Sequence, residues 1–420
     1  MNEVYEKERL KMTTKRLAYL APELPSLSAT FVTNEIWTLE AMGEEIHPYS
    51  IHKPNHAAHG TKAAALASRT HILYEHNIKS NLGALKWIAF NHKRSMAKAT
   101  AQLAFDVLKT GLFRKVALKL VYQFLHGAWL ARDMRDKNIE HLHIHFAHVP
   151  TQIGMYAAAL AGIPFTFMAH ANDIFERPLL IKEKIKRSHK TVSISNFNIK
   201  VMAKHGGNTD KIEIVRCGVE SNLNLKERES ESTSKPVVIG TLGRLVEKKG
   251  IDTLIEAAAS LAKSSLDFRV EIAGDGPLMD DLKAKVNAAN LSGVVSFLGS
   301  MPHTEALEWI KTLDTFVLAG KMDQNGDMDG IPVVLMEAMN FGIPVISTKL
   351  SGIPELVIHK QTGRLCPPAD AESLAAAIQD LFRSPEQTAW YAEVAKERIV
   401  HEFDLEVNAK RLLHIFNKAA

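Results

Sequence analysis

Short apolar runs alternate along this chain with stretches whose apolar positions return every three or four residues, the rhythm of parallel α/β units. Residues 17–20 read as a first strand. A loop over 21–28 with Pro22 and Pro25 follows, and then an amphipathic helix beginning Thr30-Phe31-Val32-Thr33-Asn34-Glu35-Ile36 and running to Gly43. Further strands are expected at 141–146, 162–168, 191–195 and 212–215. After a polar stretch containing KERESESTSKP, the alternation resumes with strands at 237–242, 270–273, 294–299 and 343–347. The expected organisation is therefore α/β: a doubly wound domain over 1–220, a linker over 221–236, and a second doubly wound domain over 237–400. Residues 401–420 close the chain with a helix near 403–416 that would cross back to the first domain.

Composition narrows the class. The 420 residues are 46% hydrophobic and 23% charged, and the formal net charge is +4, values ordinary for a globular enzyme. Two cysteines, Cys217 and Cys366, exclude a disulfide framework and fit a reducing cytoplasm. The mixed-charge start MNEVYEKERLKMTTKR lacks the apolar core of a signal peptide. No apolar run approaches the length of a membrane span.

Charge is concentrated in one place. Residues 86–119 hold Lys86, Lys93, Arg94, Lys98, Lys109, Arg114, Lys115 and Lys119 against Asp106 alone, interleaved in and around that stretch with Trp87, Phe90, Phe113, Tyr122 and Phe124. That pattern suits a helical surface lying on an anionic bilayer. It also suits a solvated face with core aromatics. Nucleic-acid binding is not expected, because no recognition motif accompanies the charge.

Candidate chemistry lies at strand ends. His141-Leu142-His143-Ile144-His145 alternates with period two and places three imidazoles on one face. Alternate residues are about 7 Å apart along a strand, a spacing taken here as too long to share a metal without a bend, so a strand edge lining a cleft is the preferred reading. The run at 162–168 ends at Ala169-His170-Ala171-Asn172-Asp173-Ile174, which puts His170 and Asp173 where ligand sites form in doubly wound sheets. In the second half, Gly243-Arg244-Leu245-Val246-Glu247-Lys248-Lys249-Gly250 links a strand to a helix expected near Ile251. Its glycines would let the backbone approach a diphosphate, and Arg244 and Lys249 would neutralise it. Finally, a polar loop carrying Asp327 and Asp329 leads through Gly330, Ile331 and Pro332 into a short apolar helix ending about Asn340. Glu337 lies two turns along it, roughly 12 Å from Asp329. Backbone N–H groups at the helix start, from Gly330, Ile331 and Val333, would face phosphates.

These residues resemble the signature of the retaining glycosyltransferases of the GT-B fold, family four. Its pattern is Glu, seven residues, Glu, then Ala-Met, Gly-x-Pro-Val and Gly-x-x-Glu. Here Asp329 stands for the first acid, Glu337 is the second, and Ala338-Met339, Gly342-Ile343-Pro344-Val345 and Gly352-Ile353-Pro354-Glu355 follow. The loop at 243–250 is similar to the family's Gly-Arg-Leu-x-x-x-Lys-Gly, and 169–174 to its His-Ala-x-Asp-Ile. Ser28-Ala29-Thr30-Phe31 resembles the Ser-Glu-Thr-Phe of exopolysaccharide transferases, with Ala29 in place of the acid. Within the family the sequence looks closest to enzymes that build colanic acid and other bacterial exopolysaccharides.

The resemblance implies two Rossmann-like domains facing across a cleft. It implies transfer of a sugar, with retention, from a nucleoside diphosphate sugar to a hydroxyl of a lipid-linked or oligosaccharide acceptor. His170 and Asp329 would be the catalytic residues, and Arg244, Lys249, Gly330, Ile331, Val333, Glu337 and Asp173 would bind the donor. No cofactor is expected beyond the donor itself. No metal is expected either, although Asp327-Met328-Asp329 spells a D-x-D and the loop mimics the opening of an EF-hand whose twelfth position, Met336, carries no ligand. The expected location is cytoplasmic, with 86–119 as the part that would rest on an anionic inner-membrane surface. Two alternatives are a GT-B epimerase acting on the sugar nucleotide and a non-catalytic sugar-nucleotide binding protein.

Overall fold

The computed structural model describes residues 15–26, 29–54, 61–176, 178–221 and 236–418. Ser28 and, apart from its two end residues, the expected linker 221–236 lie outside the described residues. The chain divides into two compact units: residues 1–193, 202–213 and 409–420, and residues 194–201 and 214–408. Residues 194–201 and 214–220, expected in the first domain, thus group with the second unit.

The first unit is built on a seven-stranded sheet of β1 (Arg16–Glu23), β2 (Glu45–His52), β3 (His71–Ile72), β4 (His141–His145), β5 (Phe165–Ala169), β6 (Lys190–Ser193) and β7 (Ile212–Ile214), in the order β3-β2-β1-β4-β5-β6-β7. The pairs β1/β2, β1/β4, β4/β5 and β5/β6 are parallel. Because helical crossovers cover both faces of such a sheet, its strands are buried on both sides. This corrects the expectation of a cleft-lining edge at 141–146: β4 is an interior strand and all five of its residues are buried. Its polar face is partly satisfied from within, as Thr166 Oγ1 meets His141 Nε2 at 2.9 Å and His143 Nδ1 at 2.7 Å, while His141 Nδ1 and His143 Nε2 are buried without a hydrogen bond.

The second unit carries a wholly parallel six-stranded sheet of β8 (Val237–Leu242), β9 (Phe268–Ala273), β10 (Val295–Gly299), β11 (Thr315–Leu318), β12 (Val345–Thr348) and β13 (Arg364–Cys366), in the order β10-β9-β8-β11-β12-β13. The order reverses between β8 and β11. Ligands of doubly wound sheets bind at such a reversal, outside the carboxyl ends of the strands. Both cysteines are free and buried.

The basic segment is resolved into three helices, Ile78–Asn91, Lys93–Thr110 and Lys115–Asp136. Asp106, its lone acid, does not offset the surface charge. It is fully buried, accepts two bonds of 2.6 Å from Arg187 and one of 2.7 Å from Tyr156 Oη, and so anchors the middle helix to the core. All eight cations of 86–119 are exposed. Phe124 belongs to the core, whereas Phe90 and Phe113 are 79% and 97% exposed. Among the described residues no helix is long and apolar enough to cross a membrane.

Candidate active site

At the carboxyl end of β8 the chain turns through Gly243, Arg244, Leu245 and Val246, makes one tight turn at Glu247–Lys249, and enters the helix Ile251–Leu261 at Gly250. Gly250 has φ +63°, and a Cβ there would lie 1.8 Å from the Ala319 carbonyl oxygen. Its need for glycine therefore comes from packing against the end of β11 and from backbone conformation, rather than from ligand approach. At Gly243 a Cβ would sit 3.2 Å from Lys249 Cε, so the bare backbone is what the lysine stem lies along.

That stem delivers Lys249 Nζ to Asp329 Oδ2 at 2.6 Å. Lys248 Nζ bonds Asp327 Oδ2 at 2.8 Å and lies 3.6 Å from Asp329 Oδ1. This polar loop is not open to solvent at Asp329, whose side chain is only 13% exposed. Burial pushes its carboxyl up, but Lys249 and Lys248 outweigh that and hold it below the usual carboxylate range. Asp323 Oδ1 accepts from the N–H groups of Asn325 and Asp327, each at 2.9 Å, and fixes the loop. The carboxylates that mimic metal ligands in the sequence are thus tied to lysines and to backbone N–H groups. Arg244 is exposed and has no ion-pair partner among the described residues.

Gly330 and Ile331 are buried, and Pro332 starts the helix Val333–Asn340 with no side chain capping its first N–H groups. Asp329 therefore does not cap this helix. Two turns on, Glu337 Oε1 meets His303 Nε2 at 2.8 Å. That hydrogen bond raises the His303 imidazole above its ordinary value, against the opposing effect of burial. Glu355, the last acid of the signature, is structural. It accepts from Asn196 N, Asn196 Nδ2 and Phe197 N, each at 3.0 Å, and from Arg216 Nη1 at 2.8 Å.

In the first unit His170 follows β5 directly. Its ring packs against Phe146, Phe31 and His145 at centroid distances of 4.5, 4.8 and 5.5 Å. Burial and the neighbouring His145 and His148 push it well below the usual imidazole range. Asp173 is fully buried, and its carboxylate accepts from Ala147 N at 2.6 Å and His170 N at 3.1 Å. Those bonds give it the part of holding the His170 backbone, in place of the expected direct contact with a donor. Beside it, the Lys184 ammonium donates to the carbonyls of Ala147 and Leu179, and burial pushes it down to about 7.

Over residues 224–398 the sequence matches the family described as Glycosyl transferases group 1. That stretch resembles a glycosyltransferase domain of this group. The amylovoran biosynthesis glycosyltransferase AmsK of Erwinia amylovora is 27% identical to this chain over 430 residues, covering 96% of this chain and 100% of AmsK. WcaL of Escherichia coli K12, provisionally assigned to colanic acid biosynthesis, is 29% identical over 415 residues, covering 94% of this chain and 98% of WcaL. The crystal structure of HepE from Anabaena in complex with UDP superimposes with a TM-score of 0.70 at 15% identity, covering 96% of this chain and 100% of HepE. The fold is GT-B: two Rossmann-like units, each on a largely parallel sheet.

The structure adds residues to the candidate sites of the two units that the sequence did not single out. Lys248 and His303 reach the two signature acids, and Glu35 joins the buried histidines. Glu35 Oε1 lies 2.9 Å from Tyr19 Oη, 3.1 Å from His145 Nε2 and 3.8 Å from His143 Nε2. The ligand atoms of Glu35, His143 and His145 all fall within 4.8 Å of one another, so these three residues could hold a metal ion. The spacing argument against a shared ion fails here because side-chain rotation brings ring nitrogens closer than the Cα spacing suggests. Helix Thr30–Ala41 buries Val32, Thr33, Glu35, Ile36 and Leu39. An acid on that apolar stripe was the available clue.

The His303–Glu337 pair makes stability depend on pH. Because the folded imidazole is raised above 6.5, its contribution is fully present below that value and is lost as the pH climbs through the raised folded value. Melting temperatures of wild type and His303→Gln should therefore differ most below pH 6.5 and converge in alkali. Curves separated by a constant amount would contradict the pairing.

Proposed function

We propose that this protein is a retaining glycosyltransferase that moves a sugar from a nucleoside diphosphate sugar to a hydroxyl of a lipid-linked or oligosaccharide acceptor during exopolysaccharide assembly. The observation that carries the reading is the Lys249–Asp329 pair beside an uncapped helix start. A diphosphate brings two negative charges that grow at the leaving oxygen as the glycosidic bond breaks. Lys249 and the exposed Arg244 are the cations for that charge, and the first N–H groups of the helix Val333–Asn340 supply fixed dipoles. Asp329, held ionised by Lys249, accepts from hydroxyls of the transferred sugar. Glu337, two turns along the same helix, accepts from the ribose. With the nearby acid already engaged by lysines, retention proceeds by front-face attack of the acceptor hydroxyl, without a covalent intermediate and without a metal. His170, neutral and sandwiched between aromatic rings, contributes a hydrogen bond to a substrate hydroxyl. AmsK and WcaL support the exopolysaccharide context, and the UDP complex of HepE supports a nucleotide donor.

A panel of UDP-, GDP- and dTDP-sugars incubated with the protein tests the class of reaction. Release of nucleoside diphosphate with sugar transferred supports it. Epimerised donor would indicate an epimerase, and binding without turnover a carrier. With an active donor, Lys249→Ala and Arg244→Ala should each lower kcat by about 10²–10³-fold while shifting stability by no more than about 1 kcal/mol. Unchanged turnover in both variants removes the donor-site assignment.

The lipid-linked acceptor is accompanied by a docking surface. Around the turn between helices Lys93–Thr110 and Lys115–Asp136, Phe105, Leu108, Leu112, Phe113, Leu118 and Tyr122 are exposed, and Lys109, Arg114, Lys115 and Lys119 flank the turn, also exposed. Apolar side chains that insert beside lysines that meet headgroups suit an anionic bilayer, each cation contributing about 1 kcal/mol near the surface. In flotation assays the protein should rise with vesicles containing phosphatidylglycerol and not with phosphatidylcholine alone, and Phe113→Ser with Leu118→Ser should weaken it. Flotation indifferent to lipid charge and salt would reject the surface.

A further inference from the structure

Three buried side chains of the first unit bring their ligand atoms together. The helix Thr30–Ala41 carries Glu35, and β4 carries His143 and His145 two residues apart on one face. Glu35 Oε1 lies 3.1 Å from His145 Nε2 and 3.8 Å from His143 Nε2, and the ligand atoms of all three fall within 4.8 Å of one another. Nitrogen and oxygen atoms held about 2.0–2.2 Å from a Zn²⁺ ion at tetrahedral angles stand roughly 3.3–3.6 Å apart. The two distances from Glu35 bracket that spacing, so small side-chain adjustments suffice to seat an ion.

The cluster also has an unmet need. His143 is fully buried and its Nε2 makes no hydrogen bond, a state that costs free energy in a core. Its other ring nitrogen is held, since Nδ1 meets Thr166 Oγ1 at 2.7 Å. Tyr19 Oη donates to Glu35 Oε1 at 2.9 Å, and a carboxylate oxygen keeps a second lone pair for a ligand bond. Tyr19, His143 and Thr166 are register partners on β1, β4 and β5, so one row of the sheet supplies a ligand and the supports on either side of it. Outer hydrogen bonds of this kind orient metal ligands.

We propose that Glu35, His143 and His145 form a buried site for one divalent transition-metal ion of the zinc class. Two imidazoles with one carboxylate suit Zn²⁺ better than Mg²⁺ or Ca²⁺, which take oxygen ligands. The cation gives His143 Nε2 its missing partner and replaces the Glu35–His145 hydrogen bond by coordination. It pins the helix Thr30–Ala41 to β4. Because the three ligands are buried, the role of the ion is structural, and it takes no part in the sugar transfer proposed above. Burial also dictates its route of entry: the ion is captured as the chain folds, and the native protein does not exchange it freely.

The test uses the full chain without a polyhistidine tag, produced in zinc-supplemented medium or refolded from guanidinium with Zn²⁺. Elemental analysis should find about one zinc per chain that survives dialysis of the native protein against EDTA and is lost when EDTA is present during unfolding. His143→Asn keeps an amide within reach of Thr166 but has no atom at the Nε2 position. In that variant and in Glu35→Gln the EDTA-resistant zinc should fall at least about tenfold, the loss expected for removal of even an outer partner. Wild type without EDTA-resistant zinc after either route overturns the proposal, the cluster then being held by hydrogen bonds alone. Zinc retained in both folded variants overturns it as well, since the ion would sit elsewhere. If the variants fail to fold, wild type refolded with Co²⁺ decides: intense visible bands of a four- or five-coordinate ion support the site, and the weak bands of an octahedral aqua ion overturn it.

Discussion

The second unit is arranged around a problem of charge: two adjacent cations are held close together near low-dielectric walls. Lys248 and Lys249 are neighbours in one tight turn, and alone they would repel each other and pay for partial burial. Asp327 and Asp329 face them at 2.8 and 2.6 Å, and Asp329 is held ionised in return. The pairing explains why a carboxylate with a shortened side chain can stand where the family signature has Glu. The lysine contact holds the shorter acid in place. Gly243 and Gly250 serve the same arrangement, one by giving the Lys249 stem room to lie along the backbone and the other by turning the chain against Ala319.

In the first unit the constraint is different, for its polar groups are buried among apolar ones. His141, His143, His145, His170, Glu35, Asp173 and Lys184 all have low or zero exposure. Groups of this kind persist in a core only when each finds partners, because an unmatched buried polar atom costs free energy. Thr166 meets one nitrogen of each of two histidines, Glu35 meets a third histidine, and Asp173 and Lys184 close the loops after β4 and β5 through backbone atoms. The result is a buried polar cluster around the His170 ring, which also packs on Phe31 and Phe146.

Much of this was legible in the chain. Apolar runs bounded by Gly and Pro located β8 and β9 to within two residues, and Pro332 with Gly342 bracketed the helix Val333–Asn340. Lys249, Asp329 and Glu337 could be named because local spacing alone places them about a strand end and a helix. What could not be read was partnership across the sheet order. Nothing near Glu337 points to His303, and nothing near Glu35 points to β4, which is over a hundred positions later yet hydrogen-bonded to β1. The period-two pattern of β4 gave the face of each histidine correctly. It could not tell that helices cover that face, because parallel sheets bury polar alternations as readily as apolar ones once a partner such as Thr166 is supplied.

As proposed, Asp329 serves the sugar and Lys249 the diphosphate, and the two hold each other. Titration calorimetry with UDP and GDP, paired with turnover of the same preparation, separates those roles in Asp329→Asn. The account predicts that the free diphosphate binds at least as tightly as in wild type, because Lys249 no longer has a competing carboxylate, while turnover falls by about tenfold or more. Turnover at the wild-type level, or nucleotide affinity that collapses together with it, would contradict the account.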